Sequence, residues 1–275
     1  MTSWKRELPF YIAKFHHLRQ RKIEASLTNH PELLRILQRD GVLVVEDFLS
    51  RTEAQAIVDE IYSRTDLMTS RSSPNIVKRN SRYLLLNPEK ELQSVSGFFQ
   101  SELVNGLARA YLSKRATLER PAVQLKVDID QGSIVDFFHI DEWRSLISAF
   151  LFLTDVGPQQ APMIYLKGSH KQSVWRLEKE KEFFMYYERL QNGQYGNEES
   201  PYCGCYLPTE ARRLRERYGF DELVCTGKAG TLLIFDNLGL HRASILRESY
   251  RLILSGYWML PKTGSAGHSG RHTHE

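Results

Sequence analysis

AVQLKVDID, residues 122–130, decides the fold class: Val123, Leu125, Val127 and Ile129 share one parity, and Gln124, Lys126, Asp128 and Asp130 the other. Side chains of an extended chain alternate between faces, so the stretch predicts a strand with one apolar and one polar side. Further strand-like stretches follow: FFHIDEW (137–143), SLISAFLFLTDV (145–156), PMIYLKGS (162–169), FDELVCTG (220–227), GTLLIFDN (230–237) and YRLILSGYWML (250–260). Helical segments, WRLEKEKEFFMYYERL and TEARRLRERY, interrupt the run, and glycine marks turns such as TGKAGT. Many short strands with turn signals predict a double-sheet jelly roll with an open mouth for a ligand.

Upstream of Pro121 the sequence is richer in helix. PELLRILQRD before Gly41 reads as a helix with a glycine stop, GVLVVEDFLS as a strand, and RTEAQAIVDEIYSR as a helix capped by Ser50. ELQSVSGFFQSELVNGLARAYLS (91–113) reads as one more helical stretch. TSRSSPNIVKRNSRY (69–83), with Arg71, Lys78, Arg79 and Arg82, reads as a polar loop, either solvated or an anion-contacting lid. The fold expected is therefore α+β, a jelly roll buttressed by N-terminal helices.

Residues 1–30 form a basic amphipathic segment, helical from Pro9 onward, with Ile12, Phe15, Arg19, Ile23 and Leu27 near one stripe and Lys14, Arg21 and Lys22 beside it. Such a pattern fits an anionic membrane interface, or a helix packed on its own domain or a neighbouring subunit. His16 and His17 are adjacent on that helix and face different directions, so they make no metal pair. Residues 31–262 are expected to form a single domain, and 263–275, small and polar, a disordered tail. The oligomeric state is not legible.

Composition narrows the function. The chain has 275 residues, is 41% hydrophobic and 25% charged, and carries a formal net charge of only +4. That supplies a substantial core and gives no polyelectrolyte character that would indicate nucleic acid. Three cysteines, with Cys203 and Cys205 too close to bridge easily, favour free thiols in a reducing compartment, and zinc at that pair would need two more nearby ligands. No apolar run is long enough to span a membrane. A cytoplasmic protein is expected, peripheral at the inner face of the membrane if the N-terminal segment binds there.

The chemistry starts in FFHIDEW. His139 and Asp141 lie two apart and point the same way on a strand, while Ile140 points to the other face. His241 follows the strand GTLLIFDN, 102 residues further on. Two imidazoles and a carboxylate suit Fe(II) with three open positions, although zinc can use the same groups. Arg251 lies ten residues beyond His241 at the start of a strand. Its planar guanidinium suits a bidentate grip on the far carboxylate of a keto acid that chelates the metal, or alternatively a structural ion pair.

FFHIDEW, LFLTDVGPQQAPMIYLKGSHK and GKAGTLLIFDNLGLHRAS with YRLILSGYW resemble the phytanoyl-CoA dioxygenase family of Fe(II)- and 2-oxoglutarate-dependent oxygenases. The resemblance covers roughly residues 120–260 and implies a double-stranded β-helix, iron on His139, Asp141 and His241, 2-oxoglutarate on Arg251, and a cosubstrate pocket shared by Gln124 and Lys126. It also implies dioxygen as oxidant, and hydroxylation rather than halogenation because Asp141 is kept. Lys167, Gly168, Ser169 and His170 stand where the family has Pro-Gly-Ser-His. His170, the rival third ligand, is structural in that family. The basic residues Arg144, Lys167 and Lys171, with the loop from Arg71 to Arg82, point to an anionic substrate. A lipid or glycolipid, such as the acidic sugar Kdo of lipopolysaccharide, is the leading expectation, with a soluble acyl-CoA or natural product as the alternative. A jelly-roll binding protein without oxygenase chemistry is the reading from a different class.

Overall fold

The computed structural model describes residues 3–64, 76–79, 82–127, 137–191 and 204–261. The expectations for Arg71, for Asp128, Ile129 and Asp130, for Cys203 and for the tail 263–275 lie outside the described residues.

Twelve described strands form two antiparallel sheets. The larger contains β1 (Val42–Val45), β2 (Ile76–Arg79), β3 (Arg82–Leu86), β4 (Thr117–Lys126), β6 (Leu146–Phe152), β10 (Leu232–Asp236) and β12 (Arg251–Met259), in the order β1-β10-β6-β12-β4-β3-β2. The smaller contains β5 (Phe138–His139), β7 (Met163–Leu166), β8 (Cys205–Tyr206), β9 (Glu222–Cys225) and β11 (His241–Ala243), in the order β8-β5-β11-β7-β9. Met163, Tyr165 and Cys225 of the smaller sheet pack against Val42, Phe152, Leu233, Phe235 and Ile253 of the larger, so a shared apolar layer lies between them. The jelly roll within an α+β fold is the architecture read from the sequence.

Helices α1 (Ser3–Gln20), α2 (Pro31–Asp40), α3 (Arg51–Ser63), α4 (Ser96–Gln100) and α5 (Glu102–Leu112) precede most of the strands, and α6 (Val174–Gln191) and α7 (Pro208–Tyr218) lie within them. Leu34, Leu37, Ile57, Ile61, Leu107 and Tyr111 press on the outward residues of the larger sheet, Val123, Leu252 and Leu254 among them. This explains the parity of β4: its apolar residues meet helices, while the buried Gln124 and Lys126 lie on the face turned toward the smaller sheet. Ser50 caps α3 as expected, and Glu53 makes the cap reciprocal. Gly41 ends α2 at φ 78°, and a side chain there would strike His170 Nδ1 at 2.3 Å, so both backbone and space require glycine.

Four expectations are corrected. Within the polar stretch 69–83, Ile76–Arg79 form β2 and Arg82 and Tyr83 open β3, which pairs with β2 and β4. The helical stretch 91–113 breaks at Ser101, whose hydroxyl caps α5 by accepting from Val104 N at 3.4 Å. The FFHIDEW strand is only Phe138–His139, although the alternation persists beyond it: Ile140 is buried with Phe183 and Leu240 behind the smaller sheet, opposite His139 and Asp141. Finally, α1 starts before Pro9 and ends at Gln20, so Ile23 and Leu27 leave the expected helical stripe.

Candidate metal centre

The register of the smaller sheet assembles the centre. His241 lies opposite His139 on one side and Tyr165 on the other, and Cys205 is opposite His139. Directly paired residues share a face, so one row crosses the sheet. Asp141 joins it through its backbone N–H, which donates to Asn237 O at 3.4 Å. Its carboxylate oxygens lie 3.5 Å from His139 Nε2 and 3.4 Å from His241 Nε2.

Both imidazoles are oriented by backbone. His139 Nδ1 lies 2.8 Å from Phe137 O and His241 Nδ1 2.9 Å from Gly239 O. A nitrogen facing a carbonyl oxygen must carry the proton, which leaves the Nε2 lone pairs aimed at Asp141 and the common centre. The three ligand atoms lie within 4.8 Å of one another, and they are the sole such His, Cys, Asp and Glu cluster among the described residues. Burial disfavours charge on Asp141, but the adjacent His241 and His139 hold its carboxyl well below the usual range. For His241, burial is likewise opposed by Asp141, which raises its pKa. Two neutral nitrogen donors and an ionised oxygen donor fit a divalent iron.

His241 is delivered by a built turn. Asp236 and Asn237, both fully buried, end β10. Asp236 accepts from Tyr111 Oη at 2.8 Å and from Leu238 N at 2.9 Å, while Asn237 Nδ2 donates to Ser148 Oγ at 2.6 Å. Tyr165 Oη donates to Asp236 O at 2.9 Å, and its ring lies parallel to His241 at 6.3 Å. Sequence reasoning passed over Tyr165, Asp236 and Asn237. The signal was available at FDN, a carboxylate and an amide closing an otherwise apolar strand.

Arg251, Lys126 and Gln124 all sit on the inner face of the larger sheet and are 9%, 2% and 5% exposed. Arg251 and Lys126 are register partners. Arg251 Nη1 donates to Ala161 O, and Gln124 Nε2 to Ser255 Oγ at 2.7 Å. His170 lies elsewhere: its Nε2 is 3.1 Å from Gln38 O at the end of α2. Lys167 and Lys171 line an outer hollow with Trp175, Tyr218 and Phe220. Trp143 turns from the centre toward Phe10, His17 and Phe184, and Arg144 pairs with Glu142 at 3.0 Å.

Behind the centre, α1 grips the segment following Asp141. Lys14 Nζ donates to Trp143 O at 3.0 Å, Ser145 N to His17 Nε2 at 2.9 Å, and Arg21 Nη1 to Ser145 Oγ at 3.1 Å. Lys14 also pairs with Glu180 at 2.9 Å, and Glu180 with Arg176 at 2.7 Å. Arg176 donates further to Ser169 O at 2.5 Å and to Leu238 O in the turn before His241.

The sequence profile of the phytanoyl-CoA dioxygenase (PhyH) family matches residues 37–245. A search of curated proteins finds no match. Among solved structures, EctD from S. alaskensis with 2-oxoglutarate and 5-hydroxyectoine is similar at 16% identity and TM-score 0.61, over 83% of this chain and 75% of that one. The epimerase SnoN, in complex with Fe3+, alpha ketoglutarate and nogalamycin RO, aligns at 16% identity and TM-score 0.58 over 86% and 84%. HygX from Streptomyces hygroscopicus, with nickel and 2-oxoglutarate bound, aligns at 14% identity and TM-score 0.54 over 83% and 86%. At such identities these structures speak for the fold, and the profile, which spans most of the chain, speaks for descent: the chain belongs to the phytanoyl-CoA dioxygenase family of Fe(II)- and 2-oxoglutarate-dependent oxygenases.

Proposed function

We propose that the enzyme hydroxylates a C–H bond of an anionic lipid or glycolipid, an acidic sugar such as Kdo included, with iron held by His139, Asp141 and His241. The observation that carries the metal assignment is the convergence of two Nε2 lone pairs and one carboxylate oxygen within 4.8 Å. Bound there, iron with dioxygen and 2-oxoglutarate supplies the family's chemistry, in which R–H, O2 and 2-oxoglutarate become R–OH, succinate and carbon dioxide. His139 and His241 keep their Nδ1 protons on Phe137 O and Gly239 O, and Asp141 contributes the one negative charge. On the facing sheet Arg251 binds the distal carboxylate of the cosubstrate, with Lys126 beside it and Gln124 two residues along β4. These cations are buried, so the carboxylate they bind exchanges water for fixed charge in a dry interior. The catalytic unit is residues 31–262, to which residues 1–30 add the helix that braces the centre. Residues 263–275 are a tail without a role in it.

Lys167 and Lys171 on the outer hollow, rather than Arg144, which pairs with Glu142, support an anionic substrate, and the exposed face of α1 supports work at the inner, cytoplasmic surface of a membrane. No helix among the described residues is long and apolar enough to cross one. One observation favours a second reading, a small soluble substrate such as a natural product or acyl-CoA: the similar structures are described with nogalamycin RO and 5-hydroxyectoine. Family membership displaces the non-oxygenase binding protein. The test is purified protein with Fe(II), ascorbate, oxygen and 2-oxoglutarate. Succinate is the expected product even without substrate, and none from fully metallated protein refutes the assignment. Metabolite and lipid profiling of the host with and without the protein then separates the substrates by a mass gain of one oxygen.

A further inference from the structure

Helix α1 is inside out. Its buried stripe contains Lys14 and His17 beside Phe10, at 3%, 6% and 0% exposure, while Leu8, Tyr11, Ile12, Phe15 and Leu18 stand between 39% and 58% exposed. Those five fall at i, i+3, i+4, i+7 and i+10 and so form one face. The polar stripe has a reason, since it holds the segment after Asp141 and the Glu180 cluster. Among the described residues, nothing covers the apolar one.

What adjoins that face is cationic. The chain leaves α1 and runs beside the end of α5, with Lys22 N donating to Leu112 O at 2.8 Å and Glu24 N to Ala110 O at 2.9 Å. This brings Arg19 and Lys22 together with Lys114 and Arg115 around one surface cleft of about 790 Å3, in which Glu24 is the sole acid among the described residues. All four cations are exposed, and none has an ion-pair partner among the described residues. Arg19 lies over the Phe15 ring at 5.6 Å, which joins the rim to the apolar face. Glu7, at the other side of α1, is held by Lys181 at 3.3 Å.

We propose that this surface docks the protein on an anionic phospholipid bilayer, with Leu8, Tyr11, Ile12, Phe15 and Leu18 entering the interface and Arg19, Lys22, Lys114 and Arg115 contacting headgroup phosphates. An apolar stripe rimmed by cations matches the depth and charge of that boundary. A second copy is a poorer occupant: a two-fold contact through the same stripe would bring two unpaired cationic rims toward each other. The proposal deepens the lipid-linked reading of the substrate, on which its purpose rests, but its measurement does not depend on that reading.

The full-length protein is sedimented with phosphatidylcholine vesicles with and without phosphatidylglycerol. Binding is expected only with phosphatidylglycerol and weakens with salt. Phe15→Glu or Ile12→Glu should abolish it, and each of Lys114→Gln and Arg115→Gln should weaken it roughly fivefold. Failure of the wild type to bind, equal binding to neutral vesicles, or unchanged binding of Phe15→Glu overturns the proposal. So does light scattering that shows a dimer which Phe15→Glu dissociates. Succinate formation by the same variants is read in parallel and is expected to stay at the wild-type level, because these side chains face away from the centre. A protein that makes succinate but ignores vesicles sinks the docking surface alone, and one that binds vesicles without making succinate sinks the enzymatic assignment alone.

Discussion

Two clusters of ionisable groups lie side by side in this molecule. At the candidate metal centre, His139, Asp141 and His241 bring together two lone pairs and a carboxylate, and each imidazole Nδ1 faces a backbone carbonyl. In the network behind it, Lys14, Arg176 and Glu180 are equally close, but every cation there meets a carboxylate or a carbonyl. The first gathers acceptors with no donor among them; the second balances donors against acceptors. Convergence of charged side chains therefore marks a ligand site only where one sign or one hydrogen-bonding role is in excess.

Substitution should separate the two. The largest effect is expected at the acceptors: His241→Ala and Asp141→Ala lose iron, read by metal analysis, and succinate formation falls by about 100-fold or more, beyond the usual cost of altering a group behind a ligand. His170→Ala should keep its metal, since its ring bonds Gln38 O instead; iron loss there with retention in His241→Ala would invert the comparison. Next, Glu180→Gln leaves Lys14 and Arg176 buried without their carboxylate, and chemical denaturation should show a loss of roughly 3–5 kcal/mol. Metal affinity at fixed folded fraction should change far less.

Arg251→Ala comes third. The KM for 2-oxoglutarate is expected to rise about 10- to 100-fold, the worth of a charge-assisted pair at roughly 1.5–3 kcal/mol. Arg251→Lys should recover only part, because one ammonium cannot reproduce the fork. The last effect is spread over a range of pH. Burial, then the nearby cations Lys14, Arg144 and Arg21, lowers the His17 pKa from 6.5 to about 3, while its ring accepts from Ser145 N. The unfolded chain takes up that proton first as pH falls below 6.5, so stability should be lost between pH 6.5 and about 3, with a slope of up to about 1.4 kcal/mol per pH unit. His17→Gln should flatten denaturation measured across that window.

Much of this was legible beforehand. The alternation of Val123, Leu125 and Val127 is a period-two signal long enough to read, and it placed Gln124 and Lys126 on the opposite face, which the structure turns inward. The grouping of His139, Asp141 and His241 could be anticipated because residues two apart on a strand share a face and a second histidine follows a later apolar strand. Strands of two or three residues such as β5, β8 and β11 carry no period, so the pairing that sets His139 opposite His241 was invisible. The reversal of α1 was hidden for a physical reason. A helix that buries Lys14 and His17 does so for partners far along the chain, Trp143, Ser145 and Glu180, and no local pattern announces them.

One consequence follows from the strand register at the centre. His139 and His241 face each other across adjacent strands although 102 residues separate them in the chain. An ion held by both would bind the folded chain and not the unfolded one, so it would stabilise the fold by mass action across that separation. Metal supply would then govern the persistence of the fold as well as the activity of the centre.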